Sequence, residues 1–228
     1  MATGIYEEAK RIFLEVIKPT ASESMRLLPD ALLYGTGAFS LITYQTTMFF
    51  LFGVVVFSFI SSNLLGSLMT TFMPQDVPPA KGSDRCMPGL YSPTASRMAL
   101  ISELANPSGF PSSPMFILAT VISYCLGAIF QLSDVLNELG PDYQAKLPTA
   151  LILSSILIVV LMTYLIANEC NGFLVLLSSI AIGSIIGAIL SISIPIIFGQ
   201  ESINLLGLPL FVRRDNAGQP LYICAPKF

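Results

Sequence analysis

Two uncharged stretches placed back to back constrain this chain more than any other feature. Between Lys146 and Glu169 stand 22 residues without a charge, and between Glu169 and Glu201 stand 31 more. The hydrocarbon core of a bilayer takes roughly 20 apolar residues in helix, so each stretch is long enough to cross one. The connection Asn168-Glu169-Cys170-Asn171-Gly172 carries the only charge of the region. Gly172 is expected to supply the left-handed backbone at which one helix stops and the next begins. A water-soluble core could hide one such helix. Two in succession, in a chain that is 54% hydrophobic and 11% charged, point to a membrane.

The remainder of the chain extends the pattern. Residues 31–75 are again uncharged, most strongly apolar over 41–65, and predict a first span within 39–72. One helix over 40–70 would be about 45 Å long, so it must tilt or project beyond a core of roughly 30 Å. A shorter second span is expected over 115–132, a third over 147–168 and a fourth over 173–198. The predicted fold class is therefore an all-α integral membrane protein with four transmembrane helices.

Three segments outside the spans have their own character. Within 1–38, Ile5, Ala9, Ile12, Phe13, Val16 and Ile17 fall at helical spacing, with Glu7, Glu8, Lys10, Arg11 and Glu15 mostly opposite. This reads as an amphipathic N-terminal helix ended by Pro19, followed by a polar connector over 20–30. Its glutamates suit a protein partner better than a lipid surface. Residues 73–114 hold eight of the sixteen prolines and form a proline-rich loop, in which Ser92-Pro93 should start a short helix reaching about residue 105. An acidic connector, 133–146, breaks at Gly140-Pro141. The tail 199–228 reads as a β-hairpin, with strands over 210–213 and 220–223 around Asp215-Asn216-Ala217-Gly218.

Four spans would put both termini on one side. That side collects Lys10, Arg11, Lys18, Arg26, Lys146, Arg213, Arg214 and Lys227, against Lys81, Arg85 and Arg97 on the other. The positive-inside rule makes the side of the termini cytosolic and turns the proline-rich loop to the lumen or exterior. The charged first eighteen residues lack the apolar core of a cleavable signal, so the first span is expected to direct its own insertion.

Composition narrows function. A net charge of -3 offers no basic stripe, so nucleic acid is not an expected partner. There is no histidine, and Cys86, Cys125, Cys170 and Cys224 show no CxxC pairing, so no metal site and no cofactor are expected. Between 41–65, 115–132, 147–167 and 173–198 no Asp, Glu, Lys, Arg or His occurs, which argues against a proton relay, an ion-coupled transporter or an intramembrane hydrolase. The serine pairs Ser61-Ser62, Ser154-Ser155 and Ser178-Ser179 have no base nearby in sequence, and such hydroxyls commonly bond their own helix. No catalytic residues are expected. Thr43, Gln45 and Asn63 are too few to trace a pore, and no small-molecule substrate is evident.

The sharpest pattern is a ladder in the fourth span: Ser179, Gly183, Gly187 and Ser191, every fourth residue small. Such ladders let two helix backbones approach closely, and in lipid that packing drives association. The spacing leaves the partner open between the first span, the third span and another subunit. The ends of the chain supply a second set of contacts. Ile5, Ile12, Phe13 and Val16 of the amphipathic helix, with Arg213, Arg214 and Tyr222 of the hairpin, belong to elements too small to stand alone in water, so a partner protein should cover them.

The lead-in Pro-Asp-Tyr-Gln-Ala-Lys at 141–146, the paired spans behind it, and Leu-Gly-Leu-Pro-Leu with Gly-Gln-Pro-Leu-Tyr-Ile-Cys within 206–224 resemble small multi-span membrane proteins of large icosahedral nucleocytoplasmic DNA viruses. The resemblance covers mainly the C-terminal half. It implies a structural protein of the virion inner membrane, a minor capsid component whose cytosolic side faces capsid protein. Membrane lipid and other subunits of an assembly are the partners it implies. From a different class come a channel or transport accessory subunit and a supernumerary subunit of an energy-transducing complex.

Overall fold

A computed structural model of the chain describes residues 18–72, 86, 110–133, 136 and 145–205. These residues form five α-helices: α1 (Lys18–Thr43), α2 (Thr46–Phe72), α3 (Ser113–Gln131), α4 (Lys146–Ala167) and α5 (Phe173–Phe198), followed by a 3-10 turn at Gln200–Ile203. No strand occurs among the described residues. The helices α2 to α5 are each long and apolar enough to cross a membrane, the make-up of a multi-pass membrane protein. The amphipathic helix at 5–17, the short helix in the proline-rich loop and the C-terminal hairpin lie outside the described residues.

The single run expected over 39–72 is two helices. Tyr44 adopts a left-handed backbone, φ 49°, and the chain doubles back on itself there. The polar group Thr43-Tyr44-Gln45-Thr46 makes this possible inside an uncharged stretch. The Thr43 hydroxyl donates to Phe39 O at 2.8 Å, and Gln45 O receives the N–H groups of Met48 and Phe49, so helix ends that would otherwise be orphaned are served. Hydropathy sees one apolar run, and local hydrogen bonding divides it. The polar connector expected over 20–30 is likewise helical, Pro29 included, with Met25 and Leu28 packed on the cluster of Leu165, Cys170 and Leu176 and Leu32 and Leu33 on that of Val55 and Phe59.

Inside the bundle α3 is the central element. Residues 111–121 are all buried. On one side Met115 and Leu118 pack with Leu161 and Leu165 of α4 and Leu176 of α5. Phe116, Ile117 and Val121 pack with Val55 and Phe59 of α2. A helix apolar on every face is buried in protein or bathed in lipid, and its sequence alone does not distinguish the two. In contrast, α4 buries only Leu161 and Leu165 and turns Leu151, Ile152, Leu153, Ile156 and Val159 outward. The second and third spans, alike in composition, are the core and the periphery of one bundle.

The turn between α4 and α5 differs from expectation in one residue. Gly172 has φ -69° and ψ 151°, an extended cap for α5, whereas Glu169 takes the left-handed position at φ 55°. The Cys170 N–H reaches back to Leu165 O at 2.9 Å and the Glu169 N–H to Ile166 O at 3.0 Å, the paired bonds of a Schellman ending. That ending places its left-handed residue directly after Asn168, three residues before the glycine.

Candidate functional site

The candidate site is the seam between α3 and α5. Ser179, Gly183, Gly187 and Ser191 are all buried along one face of α5. A Cβ on Gly183 would stand 2.7 Å from Phe116 O and 3.1 Å from Ala119 Cβ. On Gly187 it would run into Thr120 O and stand 2.9 Å from Ser123 Cβ. Only hydrogen fits at either position, because the backbone of the second helix occupies the space. The two helices run side by side in the same direction, Ser179 level with Ser112 and Ser191 level with Gly127 and Gln131. The partner of the ladder is thus the second span.

The same approach lets polar groups bond across the seam. Ser123 Oγ donates to Ser184 O at 2.7 Å, and Gln131 Nε2 donates to Ser191 O at 2.9 Å. Gly127 accommodates the Ser191 side chain, and a Cβ there would overlap it. Ser123, Gly127 and Gln131 were not singled out by sequence, although each is separated from the next by four positions and matches the ladder of α5. The signal was present as a second small-and-polar stripe on a span otherwise read for its apolarity.

At one end the seam closes in a polar hub. Ser112, the residue before α3, offers its N–H to Ser179 Oγ at 2.8 Å and accepts Asn171 Nδ2 on its own hydroxyl at 3.0 Å. Next to it Ser62 Oγ of α2 donates to Ser113 Oγ at 2.9 Å. The first turn of a helix has four N–H groups without an intrahelical partner, and here a neighbouring span satisfies one. Beside the hub Cys86 and Cys170 form a disulfide, Cα atoms 5.3 Å apart and 84 residues apart in sequence, which fastens a point of the proline-rich loop to the α4–α5 turn. The four cysteines had suggested no such pairing, since the partners belong to different segments. Cys125 is a free, partly buried thiol.

Several other hydroxyls stay local. Ser154, Ser155 and Ser178 donate to Ala150, Leu151 and Val175 carbonyls of their own helices, and Ser179 adds a bond to Val175 O at 2.6 Å. Asn63 Nδ2 does the same with Phe59 O. Such groups join helices or stiffen them. The expected docking residues Ile5, Ile12, Phe13, Val16, Arg213, Arg214 and Tyr222 lie outside the described residues. No family model, curated protein or solved structure matches the chain.

Proposed function

We propose that this protein is a structural multi-pass membrane protein, without enzymatic activity, that anchors and organises a larger assembly. One observation carries the reading. Four polar pairs join helices inside the bundle, Ser62–Ser113, Ser112–Ser179, Ser123–Ser184 and Gln131–Ser191, and small residues close the seam down to backbone contact. A bundle built in this way is a rigid anchor. The resemblance to virus membrane proteins supports reading that assembly as a virion, with this chain as a minor capsid component of the inner membrane and capsid protein as its neighbour.

The tail after α5 is assigned to the cytosolic, capsid-facing side, and the end carrying Cys86–Cys170 to the opposite side. The disulfide supports this orientation, because such bonds persist in oxidising compartments and are rare in the cytosol. Contact with the assembly is assigned to the tail, including Arg213, Arg214 and Tyr222. Deleting residues 208–228 should leave a membrane-inserted protein that no longer enters particles or complexes, read as its ratio to a core subunit in purified material. Incorporation at the full-length ratio would place the binding surface elsewhere. A conductance conferred on a bare bilayer by the purified protein would favour the channel reading instead.

A further inference from the structure

We infer that α1 crosses the membrane as a fifth span, with Arg26 and Asp30 drawn against the bundle and an uncharged face toward lipid over residues 24–43. The inference rests on the multi-pass reading of α2 to α5 and adds a crossing that composition does not announce.

The direction of α1 follows from its contacts. Gly37 stands against the Phe52 ring, the position of its absent Cβ 3.0 Å from a ring carbon, so the helix folds back along α2 from the turn at Tyr44. Farther from that turn Leu32 and Leu33 pack on the cluster of Val55 and Phe59, and farther still Met25 and Leu28 pack on the cluster of Leu165, Cys170 and Leu176. The α1–α2 turn lies at the end where the Phe50 and Phe198 rings meet, centroids 4.8 Å apart. The start of α1 therefore lies at the disulfide end. Its 26 residues cover about 39 Å at 1.5 Å per residue, more than a hydrocarbon core of roughly 30 Å.

The exposed surface of α1 fits that position. Over residues 24–43 the outward residues are Ser24, Ala31, Tyr34, Gly35, Ala38, Phe39, Leu41 and Ile42, all uncharged. Two charges fall in this stretch and both turn inward. Asp30 is 6% exposed, and the Arg26 side chain is 23% exposed and paired with Glu23 at 2.8 Å. Glu23, 59% exposed, marks the point where the outer face becomes polar, twenty positions from Thr43. Tyr44, at the opposite end, stands where membrane helices carry interfacial aromatics.

The consequence is that Lys18 and the residues after Phe198 lie on opposite sides of the bilayer. Lys10, Arg11 and Lys18 then join Lys81, Arg85 and Arg97, and Arg26 falls within the span, leaving Lys146, Arg213, Arg214 and Lys227 on the tail side. Basic residues cease to favour the tail side, and orientation rests on the disulfide.

The test uses the full chain with Cys125→Ser and Cys224→Ser, to which single cysteines are added at exposed positions: Thr20→Cys, Gly172→Cys or Gln200→Cys. Sealed membrane vesicles are labelled with an impermeant maleimide before and after permeabilisation. The expected result is that Thr20→Cys and Gly172→Cys label from one face and Gln200→Cys from the other. Labelling of Thr20→Cys from the same face as Gln200→Cys, with Gly172→Cys opposite, overturns the fifth span and leaves four. Release of the protein by alkaline carbonate, or Gly172→Cys and Gln200→Cys on one face, overturns the multi-pass reading beneath it.

Discussion

Single residues decide whether the seam forms. At Gly187 a side chain of any size meets Thr120 O and the Ser123 side chain, so Gly187→Leu should force α3 and α5 apart at a cost of roughly 1 to 3 kcal/mol. Thermal unfolding in detergent is the measurement, and unchanged stability for both Gly183→Leu and Gly187→Leu would mean that the seam opens freely. Glu169 predicts the opposite sign. It holds φ 55° at a helix end where glycine is the usual residue, so Glu169→Gly should leave stability unchanged or raise it by up to about 1 kcal/mol. Tyr124 makes a third case. Its side chain is fully buried and its hydroxyl finds no hydrogen-bond partner among the described residues, so Tyr124→Phe should cost nothing and can stabilise by about 1 kcal/mol. A fall in unfolding temperature for Tyr124→Phe would show that the hydroxyl is engaged.

At the scale of elements, the four runs now seen as α2 to α5 were legible because an uncharged stretch of span length has few other uses. The ladder on α5 was legible for a related reason, since small residues at every fourth position have a geometric consequence whatever surrounds them. Three features were hidden. The break at Tyr44 depends on a handful of hydrogen bonds that hydropathy does not weigh, and α1 was hidden by Glu23, Arg26, Pro29 and Asp30, which look like a connector until the inward placement of Arg26, Pro29 and Asp30 is seen. The centrality of α3 was hidden because lipid and protein interior are equally apolar. The Cys86–Cys170 link belongs to this scale as well, closing a loop of 84 residues between a segment of its own and the α4–α5 turn. Cys170→Ser should therefore lower stability by about 2 to 5 kcal/mol. Cys86→Ser should match it, and the double variant should add nothing further, as read by unfolding of the purified protein with and without reductant.

For the molecule as a whole, the bundle places its strongest fastening at one end, where the hub of Ser112, Ser113, Ser62, Ser179 and Asn171 lies beside the disulfide, and leaves the outer faces of α4 and α5 smooth and apolar. Lipid suits those faces, and the proposed contact with another protein is assigned to the tail. If the chain is the anchor proposed above, its assembly should hold it at a set number of copies, whereas a regulator or channel need not be so fixed. Quantitative mass spectrometry of the purified native assembly measures that directly. The account predicts a constant ratio of this chain to one major protein subunit across independent preparations and detergents, and a ratio that drifts between preparations, with the chain recovered free of any partner, would contradict it.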